Sequence, residues 1–316
     1  ALCEENNLID VRTAQEYEKG SIPDAFNYPL FDNLERAEIG VIYRKIGKNA
    51  AVVKGLEFFE PRIQQFLSSL TDLKSKRLVV FCARGGMRSA SVVRLLQYQG
   101  FQAAQLEGGY KSYRSYVLKK LREPVPPLIV LHGRTGVGKT LLLKKLPDHL
   151  DLEEFAGHRS SLFGAINKIP QTQINFESRL SNKILELPNT KPVFFEGESR
   201  TVGKVFIPKA LAEAMKYGTL VLLQASLETR IKRIVDDNKI ELCGFAKIDC
   251  EGSEYSIIDK FPPEYLKRIN KMAIEYHFAD SKPKLAKNLI SKIENADFHV
   301  RKKSHYNDMG FLYARK

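Results

Sequence analysis

The sequence predicts an α/β protein with two successive parallel-sheet domains and a helical C-terminal region. Three observations carry this. An apolar run, Leu78-Val79-Val80-Phe81, enters a loop containing Cys82, Gly85 and Gly86, and apolar residues at helical spacing follow (Val92, Val93, Leu95, Leu96). A second run, Leu128 to Leu131, enters another glycine-rich loop from Gly133 to Thr140, again followed by a helical pattern (Leu141, Leu142, Leu143, Leu146). Strand, tight loop and helix in alternation is the signature of a parallel sheet with helical crossovers. Between them, Pro124-Val125-Pro126-Pro127 cannot continue a helix. The expected division is a first domain over 1–122, a linker over 123–127 and a second domain over 128–316.

Composition narrows the class. With 316 residues the chain is long enough for two real cores. Lysine and arginine number 50 against 37 acidic residues, a formal charge of +13, which points to a polyanionic partner, nucleic acid first. Cys3, Cys82, Cys243 and Cys250 form no C-x-x-C pair. That argues against a disulfide scaffold or zinc knuckle and suits a reducing compartment. No membrane-length apolar run or signal peptide is visible, so a soluble, cytoplasmic protein is expected. The chain opens at Ala1, and a few residues are expected before it.

In chain order, Leu8 to Arg12 reads as a strand. Thr13 with Glu16 has capping-box spacing for a short helix, and Gly20 to Pro29 turns into a second extended piece. Asn33 to Val53 reads as helical and then basic, and composition alone does not separate a solvated face from a functional one. The loop around Cys82 is the chemical centre of this half. Gly85 and Gly86 let backbone N–H groups turn inward as an anion nest, the helix dipole adds positive potential, and Arg84 and Arg88 add full charges. A thiol there is expected to ionise near neutrality and act as a nucleophile toward an anion.

From Lys111 to Arg122 the chain carries Lys111, Arg114, Lys119, Lys120 and Arg122 without an acidic residue, interleaved with Tyr113 and Tyr116. Phosphate neutralisation with base stacking uses that mixture, so these are the candidate RNA contacts. Beyond the linker, Gly133-Arg134-Thr135-Gly136-Val137-Gly138-Lys139-Thr140 is a complete Walker A sequence in its proper context. Its N–H groups suit a diphosphate, Lys139 its outer oxygens, and Thr140 a magnesium ion. Val193 to Phe195 lead as a strand into Glu196, Glu198 and Arg200, placed to hold metal, water or an anion, and Thr219 to Ala225 reads as another buried strand. His158 and Arg159, in a polar block from Asp151 to Gly164, are auxiliary candidates. Arg230 and Arg233, three apart on the next helix, are spaced as on the lid helix of small nucleotide kinases, but in isolation read as an exposed basic face. Leu266 to Tyr276 and Leu285 to Ile293 read as helices, before a basic, aromatic end from Arg301 to Lys316.

The Cys82 loop, Leu8 to Arg12, and Leu106-Glu107-Gly108-Gly109 together resemble the rhodanese domain, a parallel α/β fold whose loop cysteine carries sulfur. One departure is chemical: five residues separate Cys82 from Arg88, where common sulfurtransferases have four. The same spacing occurs in cysteine phosphatases related to rhodanese. With the Walker A stretch downstream, the Glu35-Arg36 to Ala51 insertion, Glu107 to Lys111, Asp151 to Gly164, Phe176-Glu177 and Glu196 to Arg200, the chain resembles the bacterial tRNA 2-selenouridine synthases over about residues 6–235. It departs from that family at Ser160, where glycine is usual, and in the partly kept tyrosine motif around Tyr306.

The resemblance implies a transferase acting on the wobble 2-thiouridine of tRNA. Geranyl diphosphate alkylates the sulfur, and selenophosphate, supplied by selenophosphate synthetase, then provides the selenium that replaces the geranylthio group. The Walker A loop would hold the prenyl diphosphate and the Cys82 loop selenophosphate, with Cys82 either forming a perselenide or assisting delivery. No tightly bound cofactor is expected, and the Thr140 hydroxyl leaves room for a magnesium ion without requiring one. The residues alone also fit an ATP-dependent kinase or phosphatase, which leaves the +13 charge and the block at Asp151 unexplained. A non-catalytic RNA-binding protein is disfavoured by the presence of Cys82.

Overall fold

The computed structural model describes residues 6–134, 136–158, 168–188, 191–197, 200–235, 241–250, 252–306 and 308–316. By its contacts the chain divides into two compact units, Ala1–His132 with Lys139–Leu223, and Gly133–Gly138 with Gln224–Lys316.

The first unit contains two four-stranded parallel sheets. The first comprises β1 (Asn6–Asp10), β2 (Phe26–Asn27), β3 (Arg77–Phe81) and β4 (Ala103–Gln105) in the order β2-β1-β3-β4. Its strands are apolar on both faces (Leu8, Ile9, Leu78, Val80 and Phe81 are all buried) because helices cover both sides. Those helices are α1 (Ala14–Lys19), α2 (Asn33–Lys45), α3 (Lys48–Phe59), α4 (Ile63–Ser69), α5 (Met87–Tyr98) and α6 (Gly109–Lys120). Thr13 and Glu16 form the expected capping box on α1, and Asp32 with Glu35 forms another on α2. At the end of β1, Asp10 and Arg12 are a buried ion pair 2.6 Å apart, with Ser21 and the Gly20 carbonyl completing its hydrogen bonds. Removing one partner would leave an uncompensated buried charge, at a cost of about 3–5 kcal/mol.

The second sheet comprises β5 (Leu128–His132), β6 (His149–Leu150), β7 (Val193–Glu196) and β10 (Thr219–Leu222) in the order β10-β5-β7-β6. With it go α7 (Lys139–Leu143), α8 (Leu152–Ala156), α9 (Gln173–Glu186), the hairpin β8 (Thr201–Val202) and β9 (Val205–Phe206), and α10 (Lys209–Tyr217). Two expectations are corrected here. The helix after the glycine-rich loop ends at Leu143 rather than reaching Leu146. Strand β10 is exposed, not buried, because it is the sheet edge: Leu220 and Leu222 keep 63% and 62% of their surface. One continuous core joins the two sheets through Val117 of α6, Leu121 just beyond it, and Phe176 and Leu180 of α9. An Arg114–Glu177 ion pair and a Ser21 N–H bond to Asn175 reinforce it.

The second unit holds α11 (Leu227–Val235), β11 (Ala246–Asp249), α12 (Glu254–Lys260), α13 (Pro263–Lys267), β12 (Lys271–His277), α14 (Pro283–Glu294), β13 (His299–Tyr306) and β14 (Met309–Arg315). Its sheet runs β11-β12-β14-β13, antiparallel except for β11 against β12. The helix expected over Leu285 to Ile293 is present as α14, but that expected through Tyr276 is not. Met272, Ile274 and Tyr276 are buried in alternation along β12, so a two-residue period overrides the helical one. The basic C-terminal piece forms the β13–β14 hairpin.

Candidate active site

Strand β3 delivers Cys82 to the N-terminus of α5. The thiol is buried (3% exposed) and receives a hydrogen bond from the Ser89 hydroxyl, with Oγ 3.1 Å from Sγ. Burial pushes the Cys82 pKa up. The Ser89 hydroxyl and the backbone N–H groups of Ser89, Arg84 and Gly86 outweigh it, and the net position is below the ordinary thiol range. Gly85 is left-handed at φ +60°, and Ser89, in the first turn of α5, adds a hydroxyl donor to the thiol.

The loop is held by its neighbours, backbone against backbone. The N–H groups of Tyr110 and Lys111 bond the carbonyls of Cys82 and Ala83, each at 2.9 Å. Gly85 (φ +60°) and Gly109 (φ +58°) meet where side chains cannot fit: a Cβ on Gly109 would lie 2.3 Å from Gly85 N and 2.4 Å from Cys82 O. The Gln105 side-chain amide reaches Gly85 O at 2.7 Å and Ser89 Oγ at 2.9 Å, linking β4 to the hydroxyl that serves the thiol.

Arg88 has a different partner from the one the loop sequence suggests. Its guanidinium pairs with Glu16 at 2.9 Å, and the direct influences on Cys82 come from Ser89 and the N–H groups. Burial raises the Glu16 pKa, but the Arg88 bond and charge more than offset it and hold the carboxyl below its usual range. Arg84 is exposed at the loop tip.

Above the loop lies an open cavity of about 830 Å³, walled by Cys82, Arg84 and Arg88 and roofed by Arg36, Tyr43 and Arg44 of α2. The Asn33 to Val53 insertion is therefore no detached solvated helix. It makes the cavity strongly cationic.

In the second half, Glu196 at the end of β7 is nearly buried and accepts a 2.9 Å hydrogen bond from the Thr140 hydroxyl. Lys139 Nζ lies 3.5 Å from its other oxygen. Burial raises the Glu196 pKa, and the contacts with Thr140 and Lys139 offset this only in part. A hydroxyl and a carboxylate side by side are the hard oxygen donors that magnesium takes, so this pair fits the ion. Arg200 lines a cavity of about 240 Å³ with His132 and Lys216, two residues the sequence reading missed.

Within the second unit, Gly133, Arg134, Gly136, Val137 and Gly138 form the remainder of the Walker A loop, and Gly136 (φ +80°) and Gly138 (φ +91°) are left-handed. Arg233 of α11 donates to the carbonyls of Val137 (2.5 Å) and Gly136 (3.4 Å). It belongs to the loop and not to an exposed basic face. His158 packs against Gly203, where a Cβ would lie 2.6 Å from the imidazole. Thr135, Arg159, Ser160 and Glu198 lie outside the described residues.

Of the candidate RNA contacts, Lys111, Lys119 and Arg122 are exposed and Lys120 pairs with Glu123. Arg114 pairs with Glu177. Tyr116 is exposed and free to stack, whereas Tyr113 is buried in the core.

A prediction tests the origin of the Cys82 pKa. Ser89→Ala removes a donor to the thiolate, so the midpoint of iodoacetamide labelling against pH is expected to move up and labelling at neutral pH to slow several-fold. An unchanged profile would assign the thiolate's stabilisation to the backbone alone.

Fold and site define a class: a rhodanese-like domain with a buried loop cysteine, followed in the chain by a phosphate-loop sequence. The rhodanese-like domain model matches residues 1–116, and the model described as the tRNA 2-selenouridine synthase AAA domain matches residues 126–299. The chain belongs to the tRNA 2-selenouridine synthase family. It is 36% identical over 245 residues to the tRNA 2-selenouridine synthase of Pseudomonas syringae pv. tomato DC3000, covering 75% of this chain and 66% of that one. Against the enzyme of P. syringae pv. syringae B728a it is 33% identical over 274 residues, covering 84% and 74%. Against that of Sulfurovum sp. NBC37-1 it is 35% identical over 237 residues, covering 73% and 65%. The match thus spans about two thirds to three quarters of these relatives' length. Among solved structures, the N-terminal domain of a Clostridium difficile 630 protein described as ATP/GTP binding is 43% identical. It covers 36% of this chain and 90% of that domain, with a TM-score of 0.35. No helix among the described residues is long and apolar enough to cross a membrane.

Proposed function

We propose that this chain converts the wobble 2-thiouridine of tRNA to 2-selenouridine in two steps, in the cytoplasm, through an S-geranyl intermediate. The observation that carries the reading is a buried thiol, hydrogen-bonded by the Ser89 hydroxyl, in a cavity lined by Arg36, Arg44, Arg84 and Arg88. That is a site for a small, highly charged anion, and selenophosphate is one.

In the first step the thiocarbonyl sulfur attacks the first carbon of geranyl diphosphate, the C–O bond breaks, and diphosphate and the N3 proton leave. Lys139 offsets the charge developing on the departing diphosphate. Thr140 and Glu196 are the residues that would hold magnesium, whose charge would serve the same end.

In the second step, S-geranyl-2-thiouridine, selenophosphate and water give 2-selenouridine, geranylthiol and phosphate. Electron counting separates two roles for Cys82. Selenium in a perselenide is two electrons more oxidised than in selenophosphate, so loading Cys82 with release of phosphate would require an oxidant. Attack of the Cys82 thiolate on phosphorus requires none. The S–P bond forms, the P–Se bond breaks, and hydroselenide departs to attack C2. Water then cleaves the S–P bond. The five-residue spacing shared with cysteine phosphatases and the ring of N–H donors suit a phosphoryl group.

The tRNA is held across exposed Lys111, Lys119, Arg122 and Tyr116. Replacing the three cations by Ala is expected to weaken tRNA binding and to reduce the slope of log K against log salt by about 2–3. Unchanged affinity and slope would remove this surface from the model. The function itself is tested by incubating the chain with 2-thiouridine tRNA, geranyl diphosphate and selenophosphate and analysing nucleosides by mass spectrometry. S-geranyl-2-thiouridine should appear first and 2-selenouridine next, without ATP. Selenation that requires ATP turnover would favour the kinase-type reading instead.

A further inference from the structure

Beside the Cys82 cavity lies a second cavity of different character. Its volume is about 280 Å³, and its walls are almost wholly apolar: Ala51, Val52 and Leu56 of α3, Phe59, and Val92 and Leu95 of α5. It shares Phe31, Ile39, Tyr43, Met87 and Arg88 with the Cys82 cavity, so the two adjoin. Val52 and Leu56 keep 39% and 59% of their surface exposed, leaving apolar area uncovered at its rim. An apolar cavity of about 150 Å³ takes a benzene ring. This one has room for a chain of two isoprene units.

We propose that this cavity is the binding site for the geranyl chain of S-geranyl-2-thiouridine during selenium transfer. The proposal rests on the two-step reading above and adds where the alkyl group sits. The alkyl carbon is bonded to the sulfur that is bonded to C2, so when C2 is presented beside Cys82 the chain must lie next to the cysteine cavity. Hydroselenide adds to C2, the C2–S bond breaks, and geranylthiolate takes a proton and departs along the apolar wall. The cavity also sets the order of the two steps. Unalkylated 2-thiouridine has nothing to place in it and is bound weakly, so selenium is delivered only after alkylation.

The test uses the full chain and anticodon stem-loops carrying S-geranyl- or S-methyl-2-thiouridine, with selenophosphate. The S-geranyl substrate should be preferred by about a hundredfold or more in kcat/KM, chiefly through KM, because a methyl group cannot reach the cavity. Val52→Phe, at a partly exposed position, and Ala51→Leu both fill it. Each should erase most of that preference while leaving S-methyl selenation, and geranylation by geranyl diphosphate, unchanged. Retention of the preference, or parallel loss on both substrates, overturns the proposal. So does a defect in geranylation instead of selenation, which would assign the cavity to the prenyl donor.

A calorimetric arm separates the cavity from the reaction. The S-geranyl-2-thiouridine nucleoside should bind the wild-type chain more tightly than the S-methyl nucleoside, and Val52→Phe should remove the difference. If that holds while neither stem-loop is selenated, the cavity stands and the two-step function falls. If the two nucleosides bind equally, the cavity assignment is wrong whatever the selenation assay shows.

Discussion

Cys82→Ala is expected to abolish selenium incorporation while geranylation proceeds at the wild-type rate, so that S-geranyl-2-thiouridine accumulates in the tRNA. On the proposed reading the thiol is the nucleophile that releases selenium from selenophosphate, and among the described residues that line the cavity Cys82 is the one cysteine. The N–H groups and the Ser89 hydroxyl remain in the variant but then surround an alanine methyl group. Loss of a nucleophile removes the covalent route rather than tuning it, so the effect is far larger than for any supporting residue. Wild-type chain given selenophosphate without tRNA should carry a transient phosphoryl adduct on Cys82. A selenium adduct, recognisable by its isotope pattern in intact-mass spectra, would instead establish the perselenide route and an oxidant to match.

The second large effect is expected at Lys139. On the proposed reading Lys139→Ala removes the positive charge that would face the departing diphosphate, and geranylation should fall by roughly 10²–10³. The variant also leaves Glu196 without its cationic neighbour, 3.5 Å away, in a nearly buried site. Since burial already raises that carboxyl's pKa, loss of Lys139 should raise it further. Any residual activity is therefore expected to shift toward higher pH, as ionised Glu196 is recovered. Selenation of tRNA supplied already geranylated should survive, because Cys82, Ser89 and the arginines of α2 are untouched. Rate profiles against pH for both steps check this, and an equal loss in both steps would count against separate sites.

What the sequence made legible follows from how each part is built. Both loops were readable because their chemistry is written in consecutive residues: the path from Cys82 to Ser89 and from Gly133 to Thr140 is local, and strand and helix patterns flank each one. The cavity walls were not, because they are assembled from distant elements. Arg36 and Arg44 reach the cysteine from α2, and no local pattern separates that helix from an exposed one. Gln105 reaches Ser89 only because β4 pairs with β3 in the register that places Gln105 beside Val80. The Arg88–Glu16 pair is illegible for the same reason, since the two residues are 72 apart in the chain.

The error at β12 has another cause. Leu266, Ile269, Met272, Ala273 and Tyr276 satisfy helical spacing, while Met272, Ile274 and Tyr276 satisfy strand spacing. A short apolar run serves both periods until a neighbouring strand decides, and here β14 pairs along all of Lys271 to His277. Strand β10 is legible as a strand, but its apolar composition gives no sign that it ends a sheet.

The central claim is that two separate anion sites perform two successive reactions on one nucleoside. Its most direct test is nucleoside mass spectrometry on 2-thiouridine tRNA given geranyl diphosphate and selenophosphate with Cys82→Ala, Lys139→Ala, or an equal mixture of the two. Neither variant alone should make appreciable 2-selenouridine, whereas the mixture should, because geranylated tRNA released by the first is selenated by the second. A mixture as inactive as its parts, with Cys82→Ala unable to geranylate or Lys139→Ala unable to selenate pre-geranylated tRNA, would contradict the claim.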